Sequence, residues 1–110
     1  MSFILSILLA LAAVQAPPAT PRVVEISAKR FEFNPSEVHL RAGEPVTIRL
    51  VGTDRAHGLL VKPLGVDLDA SPDKPDQITI TPTTAGRYPA ICDHYCGSGH
   101  GNMKMTVVVE

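Results

Sequence analysis

The stretch Cys92-Asp93-His94-Tyr95-Cys96-Gly97-Ser98-Gly99-His100-Gly101-Asn102-Met103 constrains this chain more than any other. It holds both cysteines of the sequence, two of its four histidines and one of its three methionines. The spacing is Cys-x3-Cys-x3-His-x2-Met. Thiolate, imidazole and thioether form a soft ligand set, which suits copper better than magnesium or calcium. A mononuclear blue-copper centre needs one Cys, two His and usually a weak axial Met. This loop carries a second thiolate. Two thiolates can bridge two copper ions, and each ion then needs a terminal imidazole. His100 supplies one, and His57 is the best candidate for the other.

Two plainer readings stand beside copper. Cys92 and Cys96 could form a small disulfide, as cysteines outside the cytoplasm tend to do. They could also hold a structural zinc. A disulfide would not explain His57, His100 and Met103 at these offsets, and zinc has little use for a thioether.

The loop resembles the CuA loop of subunit II of haem–copper oxidases, and also that of nitrous oxide reductase. The segments Phe31-Glu32-Phe33-Asn34-Pro35, Arg41-Ala42-Gly43-Glu44, Asp54-Arg55-Ala56-His57-Gly58 and Ala85-Gly86-Arg87-Tyr88 extend the likeness over roughly residues 23–110. The resemblance implies a binuclear copper site bridged by Cys92 and Cys96 and capped by His57 and His100. It further implies weak ligation by the Met103 thioether and by the main-chain carbonyl of His94. Subunit II often has Glu or Gln at that last position; His departs from the pattern mildly, because the backbone does the binding.

Length bounds the rest. At 110 residues the chain has room for one domain. Its charge is nearly balanced, with 10 Lys+Arg against 11 Asp+Glu, so no basic patch points to nucleic acid. Residues 1–16 form a separate unit. Phe3 to Val14 is apolar except for Ser6, short of the roughly 20 residues of a membrane span. Val14-Gln15-Ala16 offers small residues for cleavage, so the segment reads as a signal peptide, with a membrane anchor as the alternative. No Lys or Arg precedes the apolar run. Residues 17–22 read as a stiff Pro-rich linker, and 23–110 as the domain. Export implies a periplasmic location or the outer face of the cell membrane.

Within the domain the period is two. Val24, Ile26 and Ala28 alternate with Glu25 and Ser27, and Phe31 and Phe33 continue the pattern. Asn34-Pro35 marks a turn. Val38 and Leu40 flank an outward His39. Val46, Ile48 and Leu50 make a half-buried strand. A loop from Gly52 then delivers His57, and Leu59 and Val61 lead away from it. Lys62 to Asp76 is least regular, with a short strand near 66–68. Its Asp67, Asp69, Asp73 and Asp76 are either a solvated connection or an acidic face for a basic donor. Ile78 and Ile80 point inward, 87–91 runs into Cys92, and Met105, Val107 and Val109 form the last strand. Met105 thus sits in the core register, whereas Met103 ends the loop. Seven or eight strands without helices predict an all-β, cupredoxin-like Greek-key β-sandwich.

A copper site filled by protein ligands leaves no position for substrate, so electron transfer is expected and catalysis at this copper is not. The resemblance implies acceptance of electrons from cytochrome c, or another redox donor, and delivery to haem in oxidase subunit I. A free-standing periplasmic cupredoxin that carries electrons or handles copper is the alternative. Copper storage, or delivery to another CuA protein, is a third reading, and a copper chaperone is an expected partner.

Overall fold

The computed structural model describes residues 20–92 and 103–110. Among them are nine strands: β1 (Arg22–Lys29), β2 (Glu32–Asn34), β3 (Glu37–Leu40), β4 (Val46–Gly52), β5 (His57–Val61), β6 (Val66–Ala70), β7 (Asp76–Ile80), β8 (Gly86–Ile91) and β9 (Lys104–Val109). The one helical element among these residues is a 3-10 turn at Lys62–Leu64. None of their helices is long and apolar enough to cross a membrane. The signal peptide or anchor expected at residues 1–16 and the first half of the 17–22 linker lie outside the described residues. The first strand starts at Arg22, the last residue assigned to that linker.

The strands form two sheets. One has four strands in the order β2-β1-β4-β7, and the other has five in the order β3-β9-β8-β5-β6. Alternation decides which faces meet. Ile26, Ala28, Val46, Ile48 and Leu50 of the first sheet are buried against Leu59, Val61, Leu68, Ala90, Met105 and Val107 of the second. These inward side chains are the core of the predicted sandwich. On the outer face of β4, Thr47 hydrogen-bonds Thr79 of β7 (2.7 Å), and Arg49 donates to Gln77 (3.2 Å). Those polar pairs explain why the central strand can carry Thr and Arg between its apolar residues.

Two pairings are parallel and join distant segments: β1 with β4, and β3 with β9. Near β1 the structure departs from the sequence reading. The strand does not run on through Phe31 and Phe33. It turns at Arg30–Phe31 and returns as β2, with Lys29 opposite Glu32. Phe33 is buried as expected, but Phe31 is 40% exposed and has a left-handed φ of 74°. The Asn34-Pro35 signal does mark a turn, where the chain crosses from one sheet to the other. The irregular region is also more ordered than its prolines imply, because β6 reaches Ala70. Its acids have local work: Asp76 accepts from the Asp69 and Gln77 amides, and Asp73 accepts from the Ser71 hydroxyl.

At the end of the sandwich where β8 begins, His39 lies on the surface as expected. Its Nδ1 is 2.7 Å from Glu110 and its Nε2 is 3.1 Å from Glu37, which also accepts from Arg87 at 2.6 Å. Carboxylates only accept, so satisfying both contacts requires the doubly protonated ring. The Glu110 and Glu37 carboxylates accordingly raise the His39 pKa above 6.5, while Arg87 and then His39 lower that of Glu37 below 4.5. The His39 contribution to stability is complete below about pH 6.5 and disappears as pH rises through its raised folded value. The Glu37 contribution is complete above its ordinary value and disappears as pH falls through its lowered one. The thermal-midpoint gap between the native chain and His39→Gln should therefore be widest between these limits, and small throughout because the groups are exposed. Thermal melts from pH 4 to 9 test this. A gap that widened above pH 7 would contradict the assignment.

Candidate metal centre

Three of the predicted ligands fall at one end of the five-stranded sheet. Cys92 follows the last residue of β8 and Met103 precedes the first of β9. These strands run antiparallel with Ile91 opposite Lys104, and the Cys92 amide donates to the Met103 carbonyl at 3.2 Å. The ladder therefore extends to this pair, and Cys92 and Met103 stand side by side. On the other side of β8, Leu60 of β5 stands opposite Ile91, which brings the start of β5, and hence His57, to the same end. All three side chains share the inward parity of their strands, with Leu59, Ala90 and Met105. Exposure is 0% for His57, 3% for Cys92 and 1% for Met103.

The His57 imidazole is held by a residue the sequence reading did not single out. Its Nε2 is 2.6 Å from Asp54 Oδ1, and Asp54 Oδ2 accepts the Arg30 amide at 2.8 Å. Burial pushes the Asp54 carboxyl up, but the bonds from His57 and Arg30 outweigh it and leave the pKa below its ordinary 3.8. Asp54 is thus an acceptor, so His57 Nε2 carries the proton and Nδ1 presents a lone pair in the neutral ring. That Nδ1 is fully buried and has no hydrogen-bond partner among the described residues. Leaving a buried polar atom unsatisfied costs about 1–3 kcal/mol. A metal ion at Nδ1 would remove that cost, with a carboxylate behind the ring as metal-binding histidines usually have. The Asp-x-x-His spacing was visible in the sequence, but such a pair is common on surface loops and did not mark Asp54 by itself.

The loop that carries both residues is pinned from below. Thr53 donates its amide (2.9 Å) and its hydroxyl (3.2 Å) to the Ala28 carbonyl at the end of β1. Gly52 lets the loop fold back over β4, because a Cβ there would lie 2.6 Å from the Arg55 carbonyl oxygen and 3.2 Å from that of Ala70.

His94, Cys96 and His100 lie outside the described residues. Among the described residues no group of three or more His, Cys, Asp or Glu could hold a metal ion; the described donors are His57, Cys92 and Met103. Met105, assigned to the core, is buried there (4% exposed), opposite Ala90. Met103 is buried too, but opposite Cys92.

Comparison with known proteins agrees with this geometry. Residues 2–109 match the family described as Cupredoxin-like domain. The chain is 30% identical over 99 residues to cytochrome c oxidase subunit 2 of Thermus thermophilus, covering 90% of this chain and 73% of that protein. For subunit 2 of a second Thermus thermophilus strain the identity is the same, but this chain spans 58% of its length. The periplasmic domain of subunit II (CoxB) of Bradyrhizobium japonicum superposes with a TM-score of 0.76 at 16% identity, covering 86% of this chain and 88% of that one. Auracyanin A, a "blue" copper protein of Chloroflexus aurantiacus, has the same fold (TM-score 0.67, 18% identity, covering 83% and 100%). The chain belongs to the cupredoxin-like family and, within it, to the group formed by the CuA domain of cytochrome c oxidase subunit II. Copper-based electron transfer is the chemistry of that kinship.

Proposed function

We propose that this domain holds a binuclear copper centre and passes single electrons through it, receiving them from cytochrome c or a similar donor. The observation that carries this reading is the buried Nδ1 of His57, which has no hydrogen-bond partner among the described residues and lies at the same sheet end as Cys92 and Met103. Cys92 and Cys96 would bridge the ions, His57 and His100 would cap them, and the Met103 thioether and His94 carbonyl would bind weakly. Bound copper supplies a one-electron couple. Two strand ends and a pinned loop hold His57, Cys92 and Met103 in a packed core, where water is excluded from them. The acceptor would be haem in a membrane-bound oxidase subunit, and the domain would work in the periplasm or on the outer face of the membrane.

A second reading has an observation of its own. The fold coincides with that of auracyanin A over the whole of that chain, and a mononuclear site would need only one of the two thiolates. Metal analysis and electron spin resonance separate the two. The binuclear reading requires two copper ions per chain and, in the mixed-valence state, one spin coupled to two copper nuclei. One copper with an ordinary blue-copper spectrum would sink it. Air-oxidised apo protein should load poorly until reduced, because a Cys92–Cys96 disulfide cannot bridge metal.

A further inference from the structure

We propose that the turn between β1 and β2 sets the electron-donating strength of His57, through Asp54. One carboxylate joins the two places. Asp54 Oδ2 takes the Arg30 amide of the turn (2.8 Å), and Oδ1 takes the His57 Nε2 proton (2.6 Å). The turn has an unfavourable form. Arg30 and Phe31 are the two loop residues of a hairpin closed by Lys29 and Glu32, and the left-handed residue is Phe31, the second of them. A turn with positive φ at that place alone favours glycine, and a bulky side chain there is an outlier. Burial does not account for it, since Phe31 is exposed. Conformations of this kind persist when their surroundings fix them, and the Arg30–Asp54 bond is one such restraint.

The consequence follows from competition for one acceptor. An amide donor on Oδ2 draws charge from the carboxylate and weakens the bond that Oδ1 accepts from His57. Removing that donor makes Asp54 a stronger acceptor, gives the ring more imidazolate character, and makes Nδ1 a better donor to a metal ion. A stronger donor favours the oxidised metal. Arg30 and Asp54 are thus positioning residues for His57; neither is a proposed ligand.

Arg30→Pro is the direct test. Proline deletes the N–H, suits the first loop position of this turn type, and keeps Lys29 in the extended form it already has. In metal-free protein the His57 Nε2–H resonance should move downfield. In copper-loaded protein, which rests on the reading above, the reduction potential should fall. Arg30→Ala retains the N–H and should match the native chain in both measurements. In an Asp54→Asn background, Arg30→Pro should leave the potential where that background puts it. Should the proline variant fail to fold, Asp54→Ala serves: Arg30 amide exchange should quicken by about tenfold or more, as for a hydrogen bond to a charged group, and the potential should rise. An unmoved Nε2–H resonance in folded Arg30→Pro, or the same potential shift with Asp54 replaced, would overturn the proposal. So would unchanged Arg30 exchange in Asp54→Ala. Failure to bind copper would leave the resonance and exchange tests intact and would count against the copper reading alone.

Discussion

Cys92→Ser should fold and yet lose the binuclear copper spectrum completely. Cys92 is 3% exposed at the end of β8, where its amide is tied to the Met103 carbonyl. Serine has nearly the same shape and keeps that backbone bond. The buried hydroxyl costs about 1–3 kcal/mol if it finds no partner, which a sandwich core of this extent should survive. The electronic change is of another order, because a neutral hydroxyl cannot replace a bridging thiolate. Cys96→Ser, His57→Ala and His100→Ala should have the same spectroscopic result. Met103→Leu should behave differently: thioether binds copper weakly, so metal is retained and the potential shifts. Met105→Leu should cost under about 1.5 kcal/mol as a volume-conserving swap and leave the potential alone. Circular dichroism, metal analysis and redox titration of the set decide the matter. A larger shift from Met105→Leu than from Met103→Leu would show that the wrong methionine has been assigned.

Gly52→Ala is expected to disturb the site from beneath while adding only one methyl group. The new Cβ would stand 2.6 Å from the Arg55 carbonyl oxygen and 3.3 Å from Ser71 Cα, which are backbone atoms that cannot rotate aside. The loop of residues 53–56 must lift, and it carries Asp54 and leads directly into His57. Overpacking of this kind costs about 1–3 kcal/mol. Copper affinity should drop along with stability, because His57 enters the core from the displaced loop. Gly65 supplies the control. It has a left-handed φ of 70° but nothing within 4 Å of its would-be Cβ. Gly65→Ala should therefore carry only the backbone cost of roughly 1–2 kcal/mol, with an unchanged copper spectrum. If both variants lose stability equally and neither alters copper binding, then Gly52 does not govern the loop.

The kind of metal was legible in the sequence because ligand softness is a property of side chains and the spacing lies within one loop. The strands were legible for a similar reason: where a strand has one wet face and one dry face, residue type must alternate, as it does from Val24 to Ala28 and from Val46 to Leu50. The pairing of His57 with a loop more than thirty residues away followed from its resemblance to a known pattern. Local physics offered nothing to distinguish it from an ordinary structural histidine. Tertiary structure decided the rest. Phe31 reads as a continuing strand because no Gly or Asn flags a turn; the hairpin there exists through contacts, among them an amide bonded to a carboxylate on another loop. Asp54 has the composition of a surface acid, and its role arises only when the loop after β4 is folded back over Gly52 and pinned to Ala28. The parallel pairings of β1 with β4 and β3 with β9 join segments that no short-range pattern connects. The antiparallel ladders of β8 with β5 and β9 bring the ends of those three strands together, and burial there leaves His57 Nδ1 without a hydrogen-bond partner among the described residues.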